Sequence, residues 1–480
     1  MYWYSVTVFR DFTMTRYPDD QLSKFALESK VMKLGTFLAA LTLTFATPSF
    51  AQSTLTNLDV KYTQFTLPNG LTVILHEDHA VPLVTTNMWY HVGSAREKPG
   101  RTGFAHLFEH LMFMGSAHVK PGEFDDWLEN AGGTNNGSTE NDRTNYWINV
   151  PSNALDLALF LESDRMGFLL ESMTPKTVDA QREVVKNERR QSFENRPYGQ
   201  AELLLNELLY PADHPYHWPV IGYMQDLTAA SYEDVVEFFK KYYAPSNASL
   251  VVAGDINTAQ ARKLVEKWFG DVKPGPPPDP MTIPGVALNG VTKKTVTDKV
   301  QLPRIYLAWL TPPHFTPGDA ALDMVADALA GGKNSRLYKR LVYDMQIAQD
   351  VSAYQASQAL SSYFLVQATA RPGHTVDELK KVIDEEIVKL QTQTPDAHET
   401  ERSVNTIEAS FLKRMERIGG FGGKADQLNA YYTGTGDPDY FNEDMSRYRS
   451  MSPSDVRAAA VKFLPLDKRV ELTVLPEGAK

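Results

Sequence analysis

Two histidines and a glutamate carry the clearest chemistry in this sequence. They stand in the run Gly103-Phe104-Ala105-His106-Leu107-Phe108-Glu109-His110-Leu111-Met112-Phe113-Met114. On an α-helix, positions i and i+4 project from one face, so His106 and His110 can share one metal ion. Glu109, at i+3 from His106, lies on that face as well, placed to take a proton from water on the metal instead of binding the ion. The spacing is that of the inverted zinc signature H-x-x-E-H. Phe104, Leu107, Phe108, Leu111 and Phe113 would bury the helix and dry the site, and dryness strengthens the electrostatics on which zinc hydrolysis relies. A catalytic zinc takes a third protein ligand and leaves a position for water. The sequence contains no cysteine, so that ligand is His, Asp or Glu. Thiol nucleophiles, disulfides and Cys-held zinc are excluded.

The pattern around this run predicts the elements that must position it. Phe65-Thr66-Leu67 and Leu71-Thr72-Val73-Ile74-Leu75 flank Pro68-Asn69-Gly70, a hairpin signal. A third strand is expected over Leu83 to Val92 and the histidine helix over Gly103 to Met114. A helix from Glu123 to Asn130 and strands over Gly137 to Thr139 and Asn145 to Val150 come next. Amphipathic helices are predicted over 154–171, 175–194 and 198–208, then a helix over 232–242, a strand from Ala248 to Ala253 and a helix over 258–269. The stretch Lys273-Pro274-Gly275-Pro276-Pro277-Pro278-Asp279-Pro280 sustains neither helix nor central strand and reads as a linker. Beyond it the order repeats: a strand at Arg304 to Leu310 takes the place of 84–92, a helix at 319–330 that of the histidine helix, and 453–475 that of 232–253. This mixed order predicts an α+β fold of two homologous α/β-sandwich halves, each a mainly antiparallel sheet packed with helices, joined by the Pro-rich linker.

Composition bounds the partners and the address. The chain has 480 residues, 42% hydrophobic and 22% charged, as in ordinary globular proteins. A net charge of −11 argues against a nucleic-acid partner, which needs a basic face. From Met32 the chain reads MKLGTFLAALTLTFATPSFAQ: a basic residue, an apolar run from Leu34 to Ala46, and the small-residue site Ser49-Phe50-Ala51. The run is shorter than the roughly 20 residues that span a bilayer, so it predicts a signal peptide cut near Ala51 and an exported, periplasmic or secreted, chain. No later segment reads as a membrane span. The expected organisation is 1–31 as an upstream extension of the reading frame, 32–51 as signal peptide, 52–272 as the half bearing the histidines, 273–285 as linker and 286–480 as a homologous half without them.

With these residues in hand, the chain resembles the pitrilysin–insulysin–mitochondrial processing peptidase family, in its two-domain dimeric branch. Members pair H-x-x-E-H with a later zinc-binding Glu in a helix reading Val-Val-x-x-Glu. Here that is Val184-Val185-Lys186-Asn187-Glu188, with Glu188 placed 78 positions after His110 (188 − 110). The likeness extends to Leu67-Pro68-Asn69-Gly70-Leu71, Val92-Gly93-Ser94-Ala95, Asn136-Gly137-Ser138-Thr139 with Thr144-Asn145-Tyr146, and Tyr243-Ala244-Pro245-Ser246-Asn247. The resemblance implies one Zn²⁺ per chain, held by His106, His110 and Glu188, with Glu109 as catalytic base. It also implies a substrate strand at Asn136, Gly137, Ser138 and Thr139, where an extended peptide or unfolded polypeptide pairs by backbone hydrogen bonds. The implied activity is that of a zinc endopeptidase; the alternative is a non-catalytic structural or assembly subunit, a role in which family members usually carry a degraded metal motif.

Two departures stand out. The family often carries a Glu seven residues before its ligand Glu; Gln181 holds that place (188 − 181). Seven residues return to nearly the same helix face, so Gln181 should still support the site from behind the ligands, whereas Glu183 is rotated away. Active relatives also use an Arg and a Tyr in the second half to hold the substrate carbonyl and its oxyanion. Those positions are Val342 and Gln349 here, and Arg336, Arg340 and Tyr343 are off register. The resemblance therefore implies a heterodimer, in preference to a homodimer, in which a zinc-free homologous subunit supplies Arg and Tyr.

Overall fold

The computed structural model describes residues 57–281 and 283–478. The upstream extension and the signal peptide expected over residues 1–31 and 32–51 lie outside them.

Strands β1 (Thr63–Thr66), β2 (Thr72–Glu77), β3 (Leu83–Tyr90), β4 (Thr134–Thr139), β5 (Thr144–Pro151) and β6 (Ala248–Gly254) build a first sheet in the order β1-β2-β6-β3-β5-β4. Only β2 and β6 run parallel among these neighbours. β6 reads ASLVVAG and is buried along its whole length, as suits a central strand covered on both faces. The β1–β2 connection is a three-residue turn closed by Leu67 N–H to Leu71 O, with Gly70 at φ 94°, a conformation that favours glycine. Helices α1 (Phe104–Leu111), α2 (Glu123–Asn130), α3 (Leu155–Ser172), α4 (Pro175–Arg189), α5 (Gly199–Leu209), α6 (Met224–Ala229), α7 (Tyr232–Tyr242) and α8 (Thr258–Phe269) accompany this sheet. Val84, Met88 and Tyr90 of β3 enter the core with Leu107, Phe108 and Leu111 of α1.

The second sheet comprises β7 (Thr292–Asp298), β8 (Arg304–Thr311), β9 (Ala348–Ala356), β10 (Ser362–Ala370) and β11 (Val470–Pro476), ordered β7-β11-β8-β10-β9. Its helices are α9 (Asp319–Ala330), α10 (Val376–Thr392), α11 (Ala397–Met415), α12 (Lys424–Thr435), α13 (Phe441–Arg449) and α14 (Pro453–Phe463). Here β7 lies parallel to β11, as β2 does to β6, and the other neighbours are antiparallel. Apart from β1, the two sheets thus share one topology, β2-β6-β3-β5-β4 against β7-β11-β8-β10-β9, and the repeat read in the sequence extends to whole sheets. Residues 273–281 carry no regular structure; they are pinned to the first half by Ser246 Oγ on Gly275 O at 2.8 Å and Arg96 Nη1 on Asp279 O at 2.6 Å.

Each half lends a helix to the other. Ala201, Leu205 and Leu209 of α5 pack with Tyr306, Ala308, Leu365, Val470 and Leu472 of the second sheet. In return α12 lies on β3 and β6, where Asp426 accepts hydrogen bonds from Asn87 Nδ2, Trp89 Nε1 and Asn145 Nδ2 at 3.2, 3.0 and 2.8 Å.

Most bounds move by a residue or two, and three elements differ more markedly from their predicted bounds. α1 stops at Leu111 because Phe113 and Met114 tighten to bond the carbonyls three residues back, ahead of Gly115 at φ 97°. α4 gives way at Arg190–Glu194 to a π-helical turn. β4 starts at Thr134, since Asn135 and Asn136 already pair with Ile148 and Trp147. No helix among the described residues is long and apolar enough to cross a membrane.

Candidate metal centre

α1 and α4 bring three side chains together. α4 starts on Thr174, whose side chain accepts from Thr177 N–H, with Pro175 at its first position. α1 packs across it, with its start wedged against the turn Ile221-Gly222-Tyr223. Gly103 and Gly222 both have positive φ, 84° and 76°, and a Cβ on Gly222 would lie 2.5 Å from Gly103 Cα. Tyr223 N–H donates to Thr102 Oγ1 at 2.9 Å, and Thr102 Oγ1 donates to Asp226 at 2.7 Å.

One ligand atom each of His106, His110 and Glu188 lies within 4.8 Å of the others. Glu188 Oε2 is 3.2 Å from His110 Nε2 and 3.7 Å from His106 Nε2. Those separations bracket about 3.3 Å, the edge of a tetrahedron with zinc bonds of about 2.0–2.1 Å. The contacts are not aligned as hydrogen bonds: both ring nitrogens of His106, Nε2 of His110 and both oxygens of Glu188 are buried without a hydrogen-bond partner among the described residues. Buried polar atoms are nearly always satisfied, so imidazole nitrogens and a carboxylate without hydrogen-bond partners at this spacing fit a divalent metal of zinc's preferences.

The electrostatics of His106 and Glu188 suit metal donors. Burial lowers His106 to about 4, keeping its imidazole neutral and able to ligate. Burial pushes Glu188 up, but the nearby imidazoles of His110 and His106 outweigh it and hold the carboxyl below its usual value. His110 shows the reverse balance: burial pulls it down, and Glu188 and Glu109 raise it overall.

Glu109 is 5% exposed and accepts a hydrogen bond from Thr139 Oγ1 on Oε2 at 2.7 Å. Burial pushes its carboxyl up to about 7, against the pull of His110 and Thr139. Gln181 is buried, with Nε2 2.6 Å from Met114 Sδ, and lies beside His110, whose charged form it favours. Glu183 turns outward and pairs with Lys186.

Asn136, Gly137, Ser138 and Thr139 lie on β4, the outermost strand of the first sheet. Ser138 Oγ donates to Asn145 Oδ1 at 2.5 Å, and Arg143 Nη1 donates to Ser138 O at 3.1 Å, tying the strand to β5. A Cβ on Gly137 would stand 3.0 Å from Glu109 Cγ, so strand and glutamate are in contact. Thr139 was read from the sequence as part of a substrate strand; its bond to Glu109 joins elements 30 residues apart, and no local pattern signals it.

The second-half residues lie on other elements, and the two arginines have partners of their own. Val342 and Tyr343 lie in a π-helical segment, Tyr338–Asp344, and Tyr343 is 72% exposed. Gln349 is exposed on β9. Arg336 pairs with Glu399 at 2.6 Å, and Arg340 with Glu386 and Glu385 at 2.6 and 2.7 Å.

Comparison with known proteins gives a consistent picture. Residues 72–212 match the profile of the insulinase family (peptidase family M16), and residues 229–407 match that of the peptidase M16 inactive domain. The zinc protease PqqE of Helicobacter pylori is 30% identical over 363 residues, covering 74% of this chain and 80% of that protein. The probable mitochondrial-processing peptidase subunit beta of Arabidopsis thaliana is 24% identical over 366 residues, covering 73% of this chain and 67% of that one. Among solved structures, a protease from Helicobacter pylori superimposes with a TM-score of 0.80 at 28% identity, covering 87% of this chain and all of that one. The periplasmic protease PqqL from Escherichia coli shares the fold, with a TM-score of 0.71 at 17% identity over 88% of this chain and 48% of its own.

Proposed function

The chain belongs to the insulinase family, peptidase family M16, and we propose that it is a catalytic member: a zinc-dependent endopeptidase acting on peptides or unfolded polypeptides. The observation that carries this reading is the buried trio His106, His110 and Glu188, spaced for a tetrahedral ion and otherwise without partners, with Glu109 beside it. One zinc bound there would act as a Lewis acid, polarising the scissile carbonyl and lowering the pKa of water from about 15.7 toward 7.

The remaining work falls to the protein. The free edge of β4 pairs with an extended substrate by backbone hydrogen bonds, giving affinity with loose side-chain preference. Glu109, held by Thr139, accepts the proton of the attacking water and returns it to the leaving amine nitrogen. The surrounding phenylalanines keep bulk water out and the local dielectric low. Gln181 supports His110 from behind. Glu109→Gln should keep one zinc per chain by elemental analysis while peptide turnover falls at least about 100-fold; turnover at the wild-type rate overturns the assignment.

By the resemblance, Val342 and Gln349 take the places of the family's Arg and Tyr, and Arg336 and Arg340 are engaged in ion pairs. This supports a heterodimer in which a zinc-free homologous subunit supplies the oxyanion donors. Peptide cleavage by the chain alone, then with a paralogue added, tests it; full activity of the lone chain refutes the partner requirement. The signal-peptide reading of 32–51, and a structural neighbour described as periplasmic, support export to the periplasm. We assign 52–272 to the catalytic half, 273–285 to the linker and 286–480 to the non-catalytic half.

A further inference from the structure

We propose that Glu97 is a positioning residue for the metal centre: its buried carboxylate clamps the start of α1 and so sets the height and rotation of His106 and His110 against Glu188. The inference rests on the metal-centre reading above and concerns a residue that touches neither the ion nor the substrate.

α1 is only eight residues long, with the two histidines at its third and seventh positions. A helix this short has little stiffness of its own, and its first N–H groups lack intrahelical acceptors. Its first flanking residue is Gly103, in the left-handed region and without a side chain to cap the end. Glu97, 8% exposed, supplies the cap from outside the helix. Its Oε2 accepts from Gly103 N–H at 3.0 Å and its Oε1 from Ala105 N–H at 2.8 Å. Both carboxylate oxygens are thus spent on one helix end, the positive end of its dipole. The second of these bonds ends one residue before His106.

The other ligand helix is tied to the same place. Arg189, the residue after Glu188, donates from Nη1 to Gly222 O at 2.5 Å. Gly222 is the glycine pressed against Gly103. The two helices therefore meet at one junction, with Glu97 bonded to the side that carries the histidines. Metal ligation tolerates only about ±0.2 Å in bond length, whereas a one-residue slip along a helix moves a side chain about 1.5 Å and turns it about 100°. Glu97→Gln replaces one acceptor by an amide donor facing an N–H, which pushes the start of α1 away while leaving every ligand in the sequence.

The test compares the full chain with Glu97→Gln, Glu97→Asp and, as a stability control, Ser452→Ala, which removes the cap of α14 far along the chain. Each metal-free protein is titrated with zinc against a chromophoric chelator, then loaded with Co²⁺ for its visible absorption. Glu97→Gln should weaken zinc binding at least about tenfold and alter the cobalt band, and Glu97→Asp, which keeps the carboxyl group and reaches one N–H, should fall between it and wild type. Ser452→Ala should lower the melting temperature and leave both metal readouts unchanged. If Glu97→Gln does not fold, Glu97→Asp alone decides. Wild-type zinc affinity and cobalt spectrum in the folded Glu97 variants overturn the inference. A wild-type chain that binds no stoichiometric zinc instead removes the metal-centre reading on which it rests.

Discussion

At the scale of single residues, the proposed ligands and the proposed base are held differently. His106, His110 and Glu188 face one another without hydrogen bonds, whereas Glu109 is tethered by Thr139. A hydrogen bond to a charged group contributes about 1.5–3 kcal/mol. Thr139→Val should therefore lower kcat/KM about 10- to 100-fold if the tether counts fully in the transition state, with zinc content unchanged. Steady-state kinetics beside metal analysis check this, and an unchanged kcat/KM shows that the tether does not aim the base. What made this site legible from sequence was helical periodicity: His106, Glu109 and His110 lie within one turn and share a face whatever the rest of the chain does. Glu188 stands 78 positions on (188 − 110), and no local rule selects it from other charged helix residues. Thr139 and Glu97 act through the backbone path of the fold, and neither leaves a periodic trace.

At the scale of elements, close packing of backbones sets the geometry. The Gly103–Gly222 contact leaves no room for a side chain on Gly222 and needs its positive φ. The left-handed conformation alone costs an ordinary residue about 1–2 kcal/mol. Gly222→Ala should therefore lower stability by at least that amount, measured by denaturant midpoint, and weaken zinc binding in parallel; loss of stability with intact zinc affinity shows that the junction does not set the site. The equivalent helix of the second half, α9, carries no histidine and holds Asp319 buried and Asp323 partly buried. Burial pushes Asp323 up to about 7 from 3.8, with neighbouring Asp319 adding to the rise and the Tyr448 hydroxyl opposing it. Between those values the folded chain keeps a proton that the unfolded chain has released, so this group makes stability fall as pH rises from about 4 to about 7. Asp323→Asn removes that slope and should gain melting temperature relative to wild type as pH is raised from about 5 to about 8; parallel curves exclude the effect.

At the scale of the whole molecule, the halves repeat one sheet topology yet do not stand apart. α5 covers the second sheet and α12 the first, and Asp426 bonds three side chains of β3 and β5. Each half expressed alone would expose an apolar or polar-networked sheet face normally covered by the other. Fragments 52–272 and 286–480 should therefore be insoluble or unfolded singly and recover native-like circular dichroism when co-expressed. Independent, cooperative folding of either fragment refutes the interlock. The sequence announced two α+β halves through repeated element order. It did not announce the exchange of helices, because an amphipathic pattern says that a face is buried and not which sheet buries it.

The sequence by itself determined what is local or repetitive: the spacing of His106, Glu109 and His110, the absence of thiol chemistry, the proline run and the α+β character of both halves. These follow from residue type and from the 3.6-residue and two-residue periods of helix and strand. Only the tertiary structure decided which distant groups meet. It set Glu188 3.2 Å from His110, Thr139 on Glu109, and Glu97 on the first N–H groups of α1. Such contacts depend on how helices cross and where loops return. That is fixed by close packing over the whole core, and no stretch of sequence carries it alone.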